Sequence, residues 1–168
     1  MCGTTVDSNG NTIHIVNMYF RIKDKPVSLS DILELIPRRQ KNDLTVFVGD
    51  GNLSSNFLGE GELHPTYKAA IERGKLFDKV INEWKSKCRV GNTGVATRQD
   101  KVSLKASALD FSIIYKEDLN NTDADTFSES WSTSLHGSTD HRLIQLIITT
   151  RPSNILSTCN TYCPRKNI

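Results

Sequence analysis

Residues 44–52 read LTVFVGDGN. The first five are β-branched or large apolar residues, the composition of a buried strand. Gly49-Asp50-Gly51-Asn52 then supplies a glycine-flexed loop that holds one carboxylate and one amide. A strand that empties in this way presents polar side chains at the rim of a sheet, where the framework fixes their positions.

Working outward, the same juxtaposition recurs. Residues 12–20, TIHIVNMYF, follow the turn signal Asn9-Gly10-Asn11 and carry Asn17 and Tyr19. Ile13, Ile15 and Tyr19 fall on one face and Val16, Met18 and Phe20 on the other, which predicts a central strand covered on both sides. Residues 109–115, LDFSIIY, enclose Asp110, and residues 143–149, LIQLIIT, come directly after Asp140-His141 and Arg142. Residues 95–104 form a weaker, more polar strand candidate.

Between the strands, residues 28–36 place Leu29, Ile32, Leu33 and Ile36 at helical spacing, with serines as N-caps and Pro37 as a stop. Residues 66–84 place Tyr67, Ala70, Ile71, Phe77, Val80, Ile81 and Trp84 at three- and four-residue intervals, a helix expected to break or bend at Gly74. Residues 120–139, rich in Ser, Thr, Asp and Asn, read as a long loop, and residues 154–168 as a polar tail after a domain spanning 1–153. Strands alternating with helices predict an α/β fold, and the lack of a glycine-rich phosphate loop argues against a nucleotide-binding doubly wound sheet.

The length of 168 residues suits one domain. Apolar residues at 37% and nearly balanced charge, 21 basic against 19 acidic, mark a chain that folds and exclude bulk electrostatics as a reason to bind nucleic acid or membrane. Stretches free of charge, such as 143–150, are far below the roughly 20 apolar residues of a membrane span. The polar N-terminus lacks the apolar core of a secretory signal, so an intracellular location, nuclear or cytoplasmic, with no membrane partner is expected. Cys2, Cys88, Cys159 and Cys163 lack zinc-site doublets and read as reduced thiols.

Asp110 is the most demanding of the polar residues. A carboxylate inside a β-run is buried at a cost of several kcal/mol unless it is paired or metal-bound. His141 is its natural partner, because a carboxylate that accepts from one ring nitrogen fixes the tautomer and raises the basicity of the other. Together Asp50, Asp110, Asp140, Asn17, Asn52, Tyr19 and His141 would supply metal ligands, hydrogen-bonding groups and a proton-transfer group, an inventory suited to phosphate ester hydrolysis. His14 reads as a core or edge histidine and His64 and His136 as loop residues, while Trp84 and Trp131 read as packing residues.

In order, these segments resemble the endonuclease/exonuclease/phosphatase superfamily, and within it the LINE-type retrotransposon endonuclease domains. IVNMYF (15–20) is similar to the family's strand ending in Asn-x-Tyr, and VFVGDGNLSS (46–55) to its Gly-Asp-x-Asn segment, with Gly51 where an aromatic is usual. ALDFSIIY (108–115) is similar to its Leu-Asp-containing strand, STDHRLIQLII (138–148) to its Ser-x-Asp-His ending, and IERGKLFDKVINEW (71–84) to the intervening helix. The resemblance covers about residues 12–150 and implies a two-sheet α/β sandwich with outer helices. It implies that Asp50 orients or activates the attacking water, and that Asn52 and Tyr19 hold phosphate oxygens. It further implies that Asp140 helps bind Mg²⁺ or Mn²⁺, that His141 paired with Asp110 acts as general acid/base or charge stabiliser, and that Asn17 supports them.

The family's N-terminal part, with an early Asn and a metal-binding Glu, has no counterpart in this sequence; Glu34, Glu60 and Glu62 lie in the wrong segments. The resemblance is thus to the C-terminal two-thirds of the domain, with the N-terminal part missing. It implies a DNA endonuclease that is weak or inactive as this chain alone and partnered by the missing half or another chain. A phosphomonoesterase of the same superfamily and a degenerate, non-catalytic binding module are the alternative expectations.

Overall fold

The protein is described by a computed structural model over residues 1–7, 10–21, 24–41, 43–58, 68–91, 95–99, 106–117, 119, 127–135 and 140–150. In chain order the elements are β1 (Cys2–Val6), β2 (Thr12–Tyr19), α1 (Leu29–Glu34), β3 (Leu44–Asp50), α2 (Lys68–Glu83) and β4 (Cys88–Val90). They continue with β5 (Arg98–Gln99), β6 (Ala106–Ser107), β7 (Asp110–Tyr115), β8 (Phe127–Leu135) and β9 (Arg142–Thr150).

The strand at 44–50 sits at the centre. The main sheet runs β1-β2-β3-β7-β4, with β2 and β3 parallel and the other neighbours antiparallel. A parallel pair needs a crossover, and α1 lies in the segment that supplies it. Ser28 caps α1, its hydroxyl accepting from the Ser30 amide.

One face of the sheet, carrying Val16, Met18, Phe47, Phe111, Ile113 and Tyr115, packs against Leu29 and Leu33 of α1 and Phe77, Val80 and Ile81 of α2. Phe47, Ile113 and Ile114 have no exposure at all, and burial of each such side chain contributes about 1.5–3 kcal/mol. Trp84 stacks between Phe47 and Tyr115, its ring centroid 5.8 Å from the first and 4.4 Å from the second. On the opposite face, Leu44, Val46 and Ile114 meet Trp131 of β8 and Leu146 and Ile148 of β9. The fold is therefore mixed α/β, a five-stranded sheet with helices on one side and the two-stranded β8–β9 sheet on the other.

Three expectations are corrected. The segment 120–139 is not all loop: 127–135 is the nine-residue strand β8, paired residue for residue with β9. Coverage of β2 is mostly one-sided, since His14, Val16 and Met18 are buried whereas on the other face Ile13 alone packs against the core and Ile15 is 41% and Tyr19 68% exposed. The helix α2 runs unbroken through Gly74, which is glycine because a Cβ there would collide with the Ser54 carbonyl. The polar N-terminal segment contains β1, which pairs with β2 around a turn where Gly10 takes φ +81°.

Within 95–104 the described strand is Arg98–Gln99 alone; residues 66–67 of the expected helix, His64, His136, Cys159, Cys163 and the tail 154–168 lie outside the described residues. Among the described residues, Cys2 and Cys88 are free thiols and no helix is long and apolar enough to cross a membrane.

Candidate functional site

Strand register builds the site. Tyr19 of β2 pairs with Asp50 of β3, and Asp50 pairs with Asp110 of β7. Residues paired across neighbouring strands point to the same face, so these three side chains form one row across the end of the sheet. The next row is Asn17, Val48 and Ser112. Asp50 is the last residue of β3 and Asp110 the first of β7, which puts both carboxylates at the rim on the face away from the helices.

His141 reaches this rim from the start of β9. Its Nδ1 lies 3.0 Å from Oδ2 and 3.3 Å from Oδ1 of Asp110. One ligand atom from each of Asp50, Asp110 and His141 lies within 4.8 Å of the other two. Burial pushes the Asp50 carboxyl up from its ordinary value; the Asn52 N–H opposes this, the Asp110 charge adds to it, and His141 and Arg98 pull it back.

Residues 97–99 tie the two halves of the site together. The fully buried Thr97 accepts at Oγ1 from the amides of Leu109 (3.1 Å) and Asp110 (3.0 Å), which fixes the entry to β7. The Thr97 carbonyl accepts from the Arg142 amide, and the Gln99 amide donates to the Asp140 carbonyl. Arg98 forms an antiparallel bridge with His141. A hydroxyl bonded to one strand and a backbone bonded to the other hold Asp110 and His141 at a set separation.

A second support comes from α2. Arg73, only 3% exposed, donates from Nη2 (2.8 Å) and Nε (3.2 Å) to the Asn52 carbonyl and from Nη1 to the Asp24 carbonyl (2.9 Å). Asn52 thereby holds the left-handed φ of +40°, its amide donating 2.9 Å to Asp50 Oδ1 and its Nδ2 donating 2.9 Å to the Phe20 carbonyl.

Of the residues singled out in the sequence, Asp50, Asp110 and His141 converge, and Asn52 braces Asp50 through its backbone amide. Tyr19 stands in the same row, largely exposed. Asn17 is one row away, its carbonyl accepting from the N-terminal ammonium of Met1 at 2.9 Å. Asp140 is not one of the converged trio: its Oδ2 accepts from Arg98 Nε at 2.8 Å, and that bond holds its carboxyl below the ordinary range.

Thr97, Arg98 and Arg73 are structural supports of this rim that the sequence reading passes over. Arg73 did carry a signal, since it stands in the spacing 70-73-77-80-84 of the buried helical stripe, where a cation needs a reason. Thr97 and Arg98 lie in a short polar stretch with no periodicity to mark them.

The rim opens into a groove of about 680 Å³ between the sheet and β9, with Asp50, Asp110, Ser112 and Arg142 at its polar end and Ile13, Val46, Ile144 and Leu146 along its walls. Two carboxylates and an imidazole offer mainly hard oxygen donors, and the side-by-side carboxylates repel each other until a cation or proton neutralises them. The donor set fits Mg²⁺ or Mn²⁺. No protein-family model, curated protein or solved structure matches the chain.

Proposed function

We propose that this rim is a divalent-metal-dependent site for hydrolysis of phosphodiesters in DNA, of the kind found in the endonuclease/exonuclease/phosphatase superfamily that the sequence motifs resemble. The observation that carries the reading is the meeting of Asp50, Asp110 and His141, which stand 31 to 91 positions apart in the chain, within 4.8 Å. A carboxylate pair alone is common in structural turns; a carboxylate pair joined to an imidazole that one of them orients is the arrangement proton transfer requires.

The chain's own groups divide the work. Asp110 accepts from His141 Nδ1, which sets the ring's orientation and favours a proton on that nitrogen, so that Nε2 faces the reaction as acid or base. Asp50, braced by the Asn52 amide, accepts a proton from the attacking water or aligns it. Tyr19, at the end of the same row, presents its hydroxyl to a phosphate oxygen. Mg²⁺ or Mn²⁺ held by Asp50 and Asp110 would supply charge neutralisation at the phosphate.

Few protein donors leave most coordination positions of Mg²⁺ to water and substrate, and turnover by this chain is correspondingly slow. Nicking of supercoiled plasmid tests the reading. The expected result is slow nicking that requires Mg²⁺ or Mn²⁺ and is lost in both Asp50→Asn and His141→Ala. Nicking that persists in EDTA, or that both variants retain, overturns it.

A further inference from the structure

We infer that Arg98 is the phosphate-binding cation of this site and that Asp140 serves as its positioning residue rather than as a metal ligand. The inference rests on the phosphodiester reading above and adds the residue that grips the anion.

The geometry separates Asp140 from the converged trio. Asp50, Asp110 and His141 offer ligand atoms within 4.8 Å of one another, and Asp140 does not belong to that group. Its carboxylate is committed to Arg98, with Nε to Oδ2 at 2.8 Å, and its backbone carbonyl to the Gln99 amide. A carboxylate bound to a guanidinium through Nε leaves the two Nη nitrogens pointing onward, a planar fork that matches two oxygens of a phosphate. Among the described residues no partner occupies that fork, and the Arg98 side chain is 38% exposed, so an incoming anion reaches it.

Position places the fork beside the chemistry. Arg98 is bridged through its backbone to His141, and the flanking bonds from Gln99 to Asp140 and from Arg142 to Thr97 hold that bridge on both sides. Its charge is felt at Asp50, which it pulls down in pKa. Two neighbouring carboxylates repel an anionic substrate, and a cation fixed at the same rim offsets this without competing for the ligands of a metal. Asp140 then has a purpose that metal binding does not explain: it holds one edge of the guanidinium and keeps the long side chain from sampling other rotamers.

The test separates metal binding from phosphate binding. A fluorescein-labelled 12-base-pair duplex is titrated by anisotropy in Mg²⁺ at several salt concentrations, with the duplex checked for integrity afterwards, and the rise in Tm with Mn²⁺ is measured on the same proteins. Arg98→Gln is expected to weaken duplex binding about tenfold and to reduce the salt slope by about one. Asp140→Asn is expected to weaken it about threefold, and the double variant to be no weaker than Arg98→Gln, because Asp140 acts through Arg98. Arg98→Lys, which keeps the charge but not the fork, falls between, and circular dichroism confirms that each variant is folded.

All of these variants retain the Mn²⁺ shift if the inference holds. Loss of that shift in Asp140→Asn makes Asp140 a metal ligand and overturns it, as does unchanged duplex affinity in Arg98→Gln. If the unaltered chain shows neither a Mn²⁺ shift nor duplex binding, the phosphodiester reading falls and this inference with it; if it shows both while Arg98→Gln behaves identically, this inference alone fails.

Discussion

Asp50 and Asp110 are direct partners across the antiparallel ladder of β3 and β7, two carboxylates set side by side at the end of a buried sheet. Like charges opposite each other destabilise a strand pair. Burial and the Asp110 charge both raise the pKa of Asp50, while the Asn52 amide and His141 oppose them. The fold thus carries an electrostatic cost where the proposed metal would bind.

Asp50→Asn removes that cost while its Oδ1 still accepts from the Asn52 amide. The expected outcome, in EDTA at neutral pH, is a gain of about 1 kcal/mol in stability measured by urea unfolding, accompanied by loss of any stabilisation by Mn²⁺. A destabilised variant in EDTA would count against the repulsion.

Arg73 donates from the middle of α2 to the carbonyls of Asn52 and Asp24 while almost wholly buried. Replacing it by Met leaves both carbonyls without the charged donor, and a stability loss of about 2–4 kcal/mol is expected from urea denaturation. Arg73→Lys, which keeps the charge but not the fork, is expected to recover less than half of that loss.

Gly74 packs its α-carbon against the Ser54 backbone, where the Ala70 carbonyl accepts from the Ser54 amide. Gly74→Ala would raise helix propensity by about 1 kcal/mol in an isolated helix, but here the added methyl meets backbone that cannot rotate aside. The net expectation is a loss of about 2 kcal/mol or more, read from the thermal or urea midpoint; a stabilised variant contradicts the close approach.

Much of this arrangement was legible in the sequence, for identifiable reasons. The strands at 12–19, 44–50, 110–115 and 142–150 are dense in β-branched and aromatic residues, and the polar residues at their ends mark the rim where Asp50, Asp110 and His141 meet. Strand β8 was hidden because Ser128, Ser130, Ser132 and Ser134 alternate with its larger residues and give a loop-like composition to a period-two pattern. The mostly one-sided burial of β2 could not be read from its own alternation, since both faces carry apolar residues and what covers them is decided elsewhere in the chain. Gly74 resembled a break because a glycine required by a neighbour's backbone looks the same as one that ends a helix. The bond from Arg98 to the Asp140 carboxylate could not be read from the sequence, because the two residues stand 42 positions apart and Arg98 lies in a polar stretch without periodicity.

Away from the rim, Glu117 accepts from Lys87 Nζ at 2.7 Å and from the Tyr115 hydroxyl at 2.6 Å. The Lys87 bond first, and the Tyr115 bond after it, hold the Glu117 carboxyl below its ordinary 4.5, while burial and Glu117 push Tyr115 up to about 12. A carboxyl depressed in the folded state stabilises at pH values above its unfolded pKa, and that stability is lost as pH falls through the folded value. Glu117→Gln is therefore expected to be about 1 kcal/mol less stable than the unaltered chain at neutral pH, the exposed Lys87 limiting the effect. The gap should close as the pH drops below 4.5. A gap that widens in acid would contradict the assignment.

The proposed function requires a divalent cation to bind where Asp50, Asp110 and His141 meet. Calorimetric titration of Mn²⁺ into the chain and into Asp110→Asn tests this directly. One saturable site per chain is expected, lost or weakened by at least about tenfold in the variant. Absence of saturable binding, or identical isotherms for the two proteins, would contradict it.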